Sequence, residues 1–139
     1  MADYQELFIG GEWVAPAGQG RIEVISPVTE EVYGTVPDAA EADVDRAVAA
    51  ARRAFDEGPW PRMAPEARAD AIARLSAELQ ARSMDIADTI TNENGSVKSF
   101  SLMGQVFAST MVLDKYAEIA RTYEFENRRT GALGGDVRV

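Results

Sequence analysis

The chain has 139 residues, 46% of them hydrophobic, with 23 acidic and 14 basic side chains and a formal net charge of -9. Such a chain repels phosphate backbones and anionic lipid, so no nucleic acid and no membrane surface is expected as a partner. Cysteine and histidine are both absent, which removes disulfides, thiolate metal sites, a cysteine nucleophile and the commonest neutral-pH base from this chain.

The length suits one modest domain or one piece of a larger one. No apolar run is long enough to span a bilayer. The opening MADYQELFIGGEW lacks the basic and apolar regions of a signal peptide, so a cytoplasmic location is expected.

In chain order, the first third reads as short strands. LFIGGEWV alternates around Gly10-Gly11, a two-residue turn signal, which predicts a hairpin of Leu7 to Ile9 with Glu12 to Val14. APAGQG reads as loop. RIEVISP and EVYGTVP predict two more strands joined by a turn at Pro27 to Glu30, so that strands fill about 7–37.

The hydrophobic period then lengthens from two to about three and a half. In EADVDRAVAAARRAF, Val44, Val48, Ala51 and Phe55 fall on one helical face. Glu41, Asp43 and Asp45 load the first turn with acid, which suits the positive end of the helix dipole. Ala40 stands where a hydroxyl or carboxamide cap is favoured, a loss of about 1 kcal/mol.

EGPWPRMAP is a Pro-rich connection, and Pro65 opens a second helix at its favoured first position. Its stripe is Ile72, Leu75 and Leu79, with Ala71 alongside. SMDIADTITNEN continues helically after a break near Ser83, and Gly95 supplies a left-handed ending. A third long helix is predicted from about Ser99 to Tyr123, with Phe100, Met103, Val106, Phe107, Leu113, Tyr116 and Ala120 as its stripe. The tail ENRRTGALGGDVRV reads as turn, then the start of a strand over 136–139 with no partner after it. That open edge gives the expectation that the chain was cut from something longer.

By residue chemistry alone, no catalytic set is evident. GQG at 18–20 and GALGG at 131–135 lack the spacing of a phosphate loop and the helix after it, so they read as turns. Trp13 and Trp60 read as packing anchors, and the Met and aromatic stripes read as core. One acid stands apart: Glu93, directly before the helix-ending Asn94-Gly95.

The ordered series FIGGEWV, ISPVTEEVYGTVP, ADVDRAVAAARRAF, WPRMAPEARADAIARLSAEL and ENG resembles the N-terminal part of the NAD(P)-dependent aldehyde dehydrogenase superfamily, from about Leu7 to Val139. The resemblance implies an α/β fold of which this segment holds the N-terminal hairpin strands and three long helices. Most of the Rossmann-like sheet would lie elsewhere. It implies that the intact enzyme oxidises an aldehyde to a carboxylic acid through a covalent thiohemiacetal, with NAD or NADP as acceptor. The family's Cys nucleophile, general-base Glu and ribose-binding residues all follow the point matching Val139. The chain alone is therefore expected to be inactive. Its last residues, DVRV, resemble the start of the oligomerisation strand, and a homo-oligomer is expected. A stand-alone remnant that pairs with a full-length relative is the alternative.

The resemblance also gives Glu93 a role. In many relatives the acid before this turn binds a structural monovalent cation with strand carbonyls, here those of Val24 and Ile25, and a further ligand lies beyond Val139. Oxygen ligands suit such a hard cation. A solvated helix-end carboxylate is the other reading. In relatives one face of the third helix lines the aldehyde tunnel, and the matching positions are Gly104 and Ala108. Close helix packing also selects small residues there.

Overall fold

A computed structural model describes residues 2–126, 128–130 and 136–138. Strand β1 (Ala2–Asp3) runs parallel to β5 (Val32–Pro37), which pairs on its other side antiparallel with β4 (Arg21–Ile25). Arg21 ties the three strands together through its bonds to Asp3 and Thr35. Separately, β2 (Leu7–Ile9) and β3 (Glu12–Val14) form the expected antiparallel hairpin, with Phe8 opposite Trp13. Gly10 and Gly11 take φ of +66° and +91°, which the tight turn between them requires. The addition of β1 to the sheet was not legible, because two residues carry no period.

Helix α1 (Glu41–Asp56) follows, then a 3-10 turn at Trp60–Arg62, α2 (Pro65–Ala81) and α3 (Ser83–Asn94). Pro65 occupies the first turn of α2, and Gly95 ends α3 at φ +75°. The third long helix has three parts: α4 (Lys98–Phe100), a π-helical stretch Ser101–Phe107, and α5 (Ala108–Thr122). Finally β6 (Arg128–Thr130) pairs antiparallel with β7 (Asp136–Arg138). The terminal strand expected to be an unpaired edge therefore has a partner, supplied by the residues before it. The Gly-rich segment 131–135 and Val139 lie outside the described residues.

The core sits where α2, α3 and the third helix meet. Among the described residues, its buried hydrophobic side chains are Ala69, Ala87, Val106 and Ala117. Ser76, Ser101 and Thr110 are buried beside them. Small side chains let these helices approach closely, and the hydroxyls find partners. Ser76 donates to the Thr110 carbonyl at 3.3 Å and accepts from Gln80, while Thr91 and Ser101 share a 3.0 Å bond.

The predicted stripes fare unevenly. Val106 is buried, but Phe100, Met103 and Tyr116 on the third helix are each more than 60% exposed. The π stretch explains the first two. The buried positions step from Ser101 to Val106, five residues rather than three or four, as a wider turn demands. A stripe drawn at α-helical period drifts off that face. On α1 the stripe Val44, Val48, Ala51 and Phe55 is exposed throughout: among the described residues the edge of β2 and the 3-10 turn approach this helix, and neither covers the stripe. Trp13 and Trp60 are likewise 58% and 45% exposed rather than anchors in a core. Trp13 packs on its cross-strand neighbour Phe8, ring centroids 5.2 Å apart.

Candidate functional site

The C-terminal end of α3 meets the turn that leaves β4. Gly95 donates its N–H to the Thr91 carbonyl at 3.0 Å, closing the last turn. Asn94 bends the chain onward by accepting from the Ser96 N–H at 2.9 Å. A Cβ at residue 95 would stand 3.1 Å from Pro27 Cγ, so helix end and turn are in close contact. The turn itself is rigid. Ser26 is buried, its N–H donates to the Glu31 carbonyl at 2.9 Å, and its carbonyl accepts from Glu30 N–H at 2.8 Å. Its hydroxyl oxygen accepts from Val28 and Thr29 N–H. A recess of about 290 Å³ lies alongside, lined by Ser26, Thr29, Glu31, Val32, Tyr33 and Asn92.

Val24 and Ile25 immediately precede that turn. Val24 pairs with Gly34 and Ile25 with Val32, so the register slips between them and Tyr33 is left over on β5. A bulge of this kind interrupts the ladder and turns backbone groups out of it. Glu93 is exposed on the last turn of α3. Among the described residues its carboxylate has no hydrogen bond or ion pair. No group of three or more acids gathers near it among the described residues. One carboxylate with backbone carbonyls fits a hard monovalent cation, and the contact at Pro27 brings their two elements together.

The second candidate region is the third helix. Gly104 and Ala108 are exposed, on the side away from α2 and α3. Among the described residues no neighbouring helix lies nearest to Gly104; its own Phe100 does. A Cβ there would stand 2.6 Å from Cε2 of Phe100, whose ring lies over it. Ala108 borders an open depression of about 420 Å³ with Ser109, Val112 and Leu113. Lys98 pairs with Asp88 at 2.6 Å, and Gln105 donates to the Ser96 hydroxyl at 2.9 Å. These bonds fix the start of this helix on α3.

A third cluster went unread in the sequence. Asp43, 1% exposed, accepts from Ala40 N–H at 2.9 Å and from Ala17 N–H at 3.0 and 3.1 Å. Arg46 bonds the same carboxylate and the Ala15 carbonyl. Burial pushes the Asp43 carboxyl up. The bonds from Arg46, Ala40 and Ala17 and the Arg46 charge outweigh it and hold the carboxyl below the usual aspartate range. The signal available was an acid three residues after an uncapped Ala40, half of a capping box.

Among the described residues a dinucleotide finds no cradle. The loop with Gly18 and Gly20 leads into β4 rather than a helix, and the Asp38 carboxylate faces it, Oδ2 standing 3.2 Å from where a Gly20 Cβ would be. That negative charge opposes pyrophosphate. The described residues of this loop do not fit a nicotinamide cofactor.

Comparison with known proteins decides the family. The model of the aldehyde dehydrogenase family matches residues 13–136. The chain belongs to that family. A crystal structure of a Mycobacterium tuberculosis aldehyde dehydrogenase complexed with NAD+ superposes at a TM-score of 0.86 with 40% identity, covering 95% of this chain and 27% of that one. The 3-succinoylsemialdehyde-pyridine dehydrogenase of a Pseudomonas species is 37% identical over 91% of this chain and 26% of its own length. The geranial dehydrogenase of Castellaniella defragrans is 31% identical over 99% of this chain and 29% of its own. The chain thus spans about a quarter of the aldehyde dehydrogenases it matches. Its mixed α/β fold of short strands and helices, with no closed sheet, is the N-terminal part of theirs. No helix among the described residues is long and apolar enough to cross a membrane.

Proposed function

We propose that this chain acts as the opening segment of an aldehyde dehydrogenase that oxidises an aldehyde to a carboxylic acid with NAD+ or NADP+, and that it is inactive alone. The observation that carries the reading is the near-complete match of this chain to about a quarter of each relative. The exposure of large apolar side chains along α1 and the third helix supports it, since such faces ask for a cover. The rest of the enzyme would supply the cysteine, the base and the dinucleotide site. The relatives are named for different aldehydes, so their names do not converge on one substrate.

Within that enzyme, Glu93 with the carbonyls of Val24 and Ile25 would hold a sodium or potassium ion. The bulge between Val24 and Ile25 and the contact of Gly95 with Pro27 support this. Gly104 and Ala108 would line the aldehyde channel, and their exposed position beside an open depression supports that role. Asp136–Arg138 would begin the strand through which subunits associate.

The test is to purify the protein from the cells that make it, measure its mass and assay it. A mass several times 15.1 kDa, with aldehyde-dependent reduction of NAD+ or NADP+, is expected, and no turnover from the 139-residue chain alone. A native mass of 15.1 kDa, or turnover by the chain itself, would contradict the proposal and favour a stand-alone module.

A further inference from the structure

Along the third helix, Phe100, Gly104, Ala108 and Val112 follow one another at intervals of four, and all are exposed. Residues four apart lie on one side of a helix. In an α-helix such a row drifts slowly around the axis, and the wider π turn over 101–107 counteracts that drift. From Ser99 to Leu113 no side chain is ionisable. The row and its flanking Met103 and Met111, 62% and 71% exposed, therefore make an uncharged apolar surface.

Phe100 stands out on it. Cε2, Cδ2 and Cζ of its ring lie 2.6, 2.8 and 3.1 Å from where a Gly104 Cβ would stand. The ring thus fills the space that a side chain at position 104 would take. Phe100 is nonetheless 61% exposed, so much of the ring remains open to a ligand. Any residue larger than glycine at position 104 would lift the ring off. The pair Phe100–Gly104 fixes an aromatic plate at the head of the row, with the Ala108 depression further along it.

We propose that Phe100, seated on Gly104, is a specificity-determining residue of this wall, and that it favours aldehydes bearing an aryl group over straight-chain ones. The inference rests on the reading of this helix as the wall of the aldehyde channel. A flat, held ring offers offset stacking to a second ring and loses little side-chain freedom in doing so. An alkyl tail buries area against the plate but gains no stacking. The neighbouring Met103 adds a polarizable thioether that suits an aromatic edge.

The test uses the intact enzyme that carries this segment, with phenylacetaldehyde and hexanal as the probes. Phe100→Leu keeps apolar volume and removes the flat face. The ratio of kcat/KM for phenylacetaldehyde to that for hexanal should fall about three- to tenfold. The change should appear in KM for the aryl aldehyde, with KM for NAD+ or NADP+ unmoved. Gly104→Ala should lower the same ratio by displacing the ring, and should do nothing further in the Phe100→Leu background. An unchanged ratio in both single variants, with the enzyme active, overturns the proposal alone. A wild-type protein that oxidises hexanal no worse than phenylacetaldehyde also overturns it, and one that oxidises no aldehyde at all overturns it together with the function on which it rests.

Discussion

Asp43 takes over at the start of α1 the work that a capping side chain at position 40 would do. Its carboxylate satisfies the Ala40 N–H, and it also reaches across to Ala17, so one side chain joins the helix to the loop after β3. Because its carboxyl is held below the ordinary range, its stabilising effect is present above about pH 4 and is lost as the pH falls through the folded-state value. Asp43→Asn removes the charge and turns an amide toward donors. The variant should melt several degrees below the parent at neutral pH, and the gap should narrow as the pH is lowered below 4. A gap that stays constant or widens in acid would show that the charge of Asp43 is not what matters. Glu93 makes the opposite case, a carboxylate with no described partner. In the intact enzyme, about four times the length of this chain, sodium at constant ionic strength should raise Tm by about 1 °C, an effect of about 1 kcal/mol by linkage. Glu93→Gln should abolish that rise while leaving the melting temperature in cation-free buffer close to the parent's. An equal response in both proteins would return Glu93 to an ordinary solvated acid.

Between elements, the decisive junction is α3 with the β4–β5 turn. Gly95 occupies a left-handed conformation and leaves only 3.1 Å between a would-be Cβ and Pro27. Gly95→Ala should therefore cost about 1–2 kcal/mol from backbone strain alone, with a further loss from pushing the turn away. A melt within 0.5 kcal/mol of the parent, taken here as a rough limit for a neutral surface change, would mean the junction is loose. Most of this layer was legible in the sequence. Gly10-Gly11, Pro65, the break near Ser83 and Gly95 each impose a local backbone demand that few structures can satisfy. The π stretch was not legible, because Ser101–Phe107 holds no Pro, its one Gly, Gly104, is tolerated within a helical pattern, and its widened turn shows only in which side chains end up buried. The same cause misplaced Phe100 and Met103 into a core, whereas Tyr116 stands one position short of the buried Ala117 on the regular turn of α5. The site residues follow this division: the helix-end position of Glu93 could be read from Asn94-Gly95, whereas the ring of Phe100 over Gly104 is a rotamer choice that no spacing reveals.

At the scale of the molecule, apolar periodicity and burial part company. Val44, Val48 and Phe55 form a regular helical stripe, yet they are 52%, 61% and 63% exposed. Periodicity reports that a face will be covered, not what covers it. The largest apolar side chains lie outside, while the described core holds three alanines and a valine. Burial of such small groups gives little hydrophobic stabilisation, at about 25 cal/mol per Å² of apolar surface. Exposed patches of this extent mark contacts with further protein, and under the proposed function that protein is the remainder of an aldehyde dehydrogenase fold; this chain spans about a quarter of the relatives it matches. The most direct test is sedimentation velocity of the isolated 139-residue chain. The account predicts self-associated or expanded species, because the apolar faces of α1 and the third helix stay exposed among the described residues. A compact, monodisperse monomer of 15.1 kDa would contradict it and make this chain an autonomous domain.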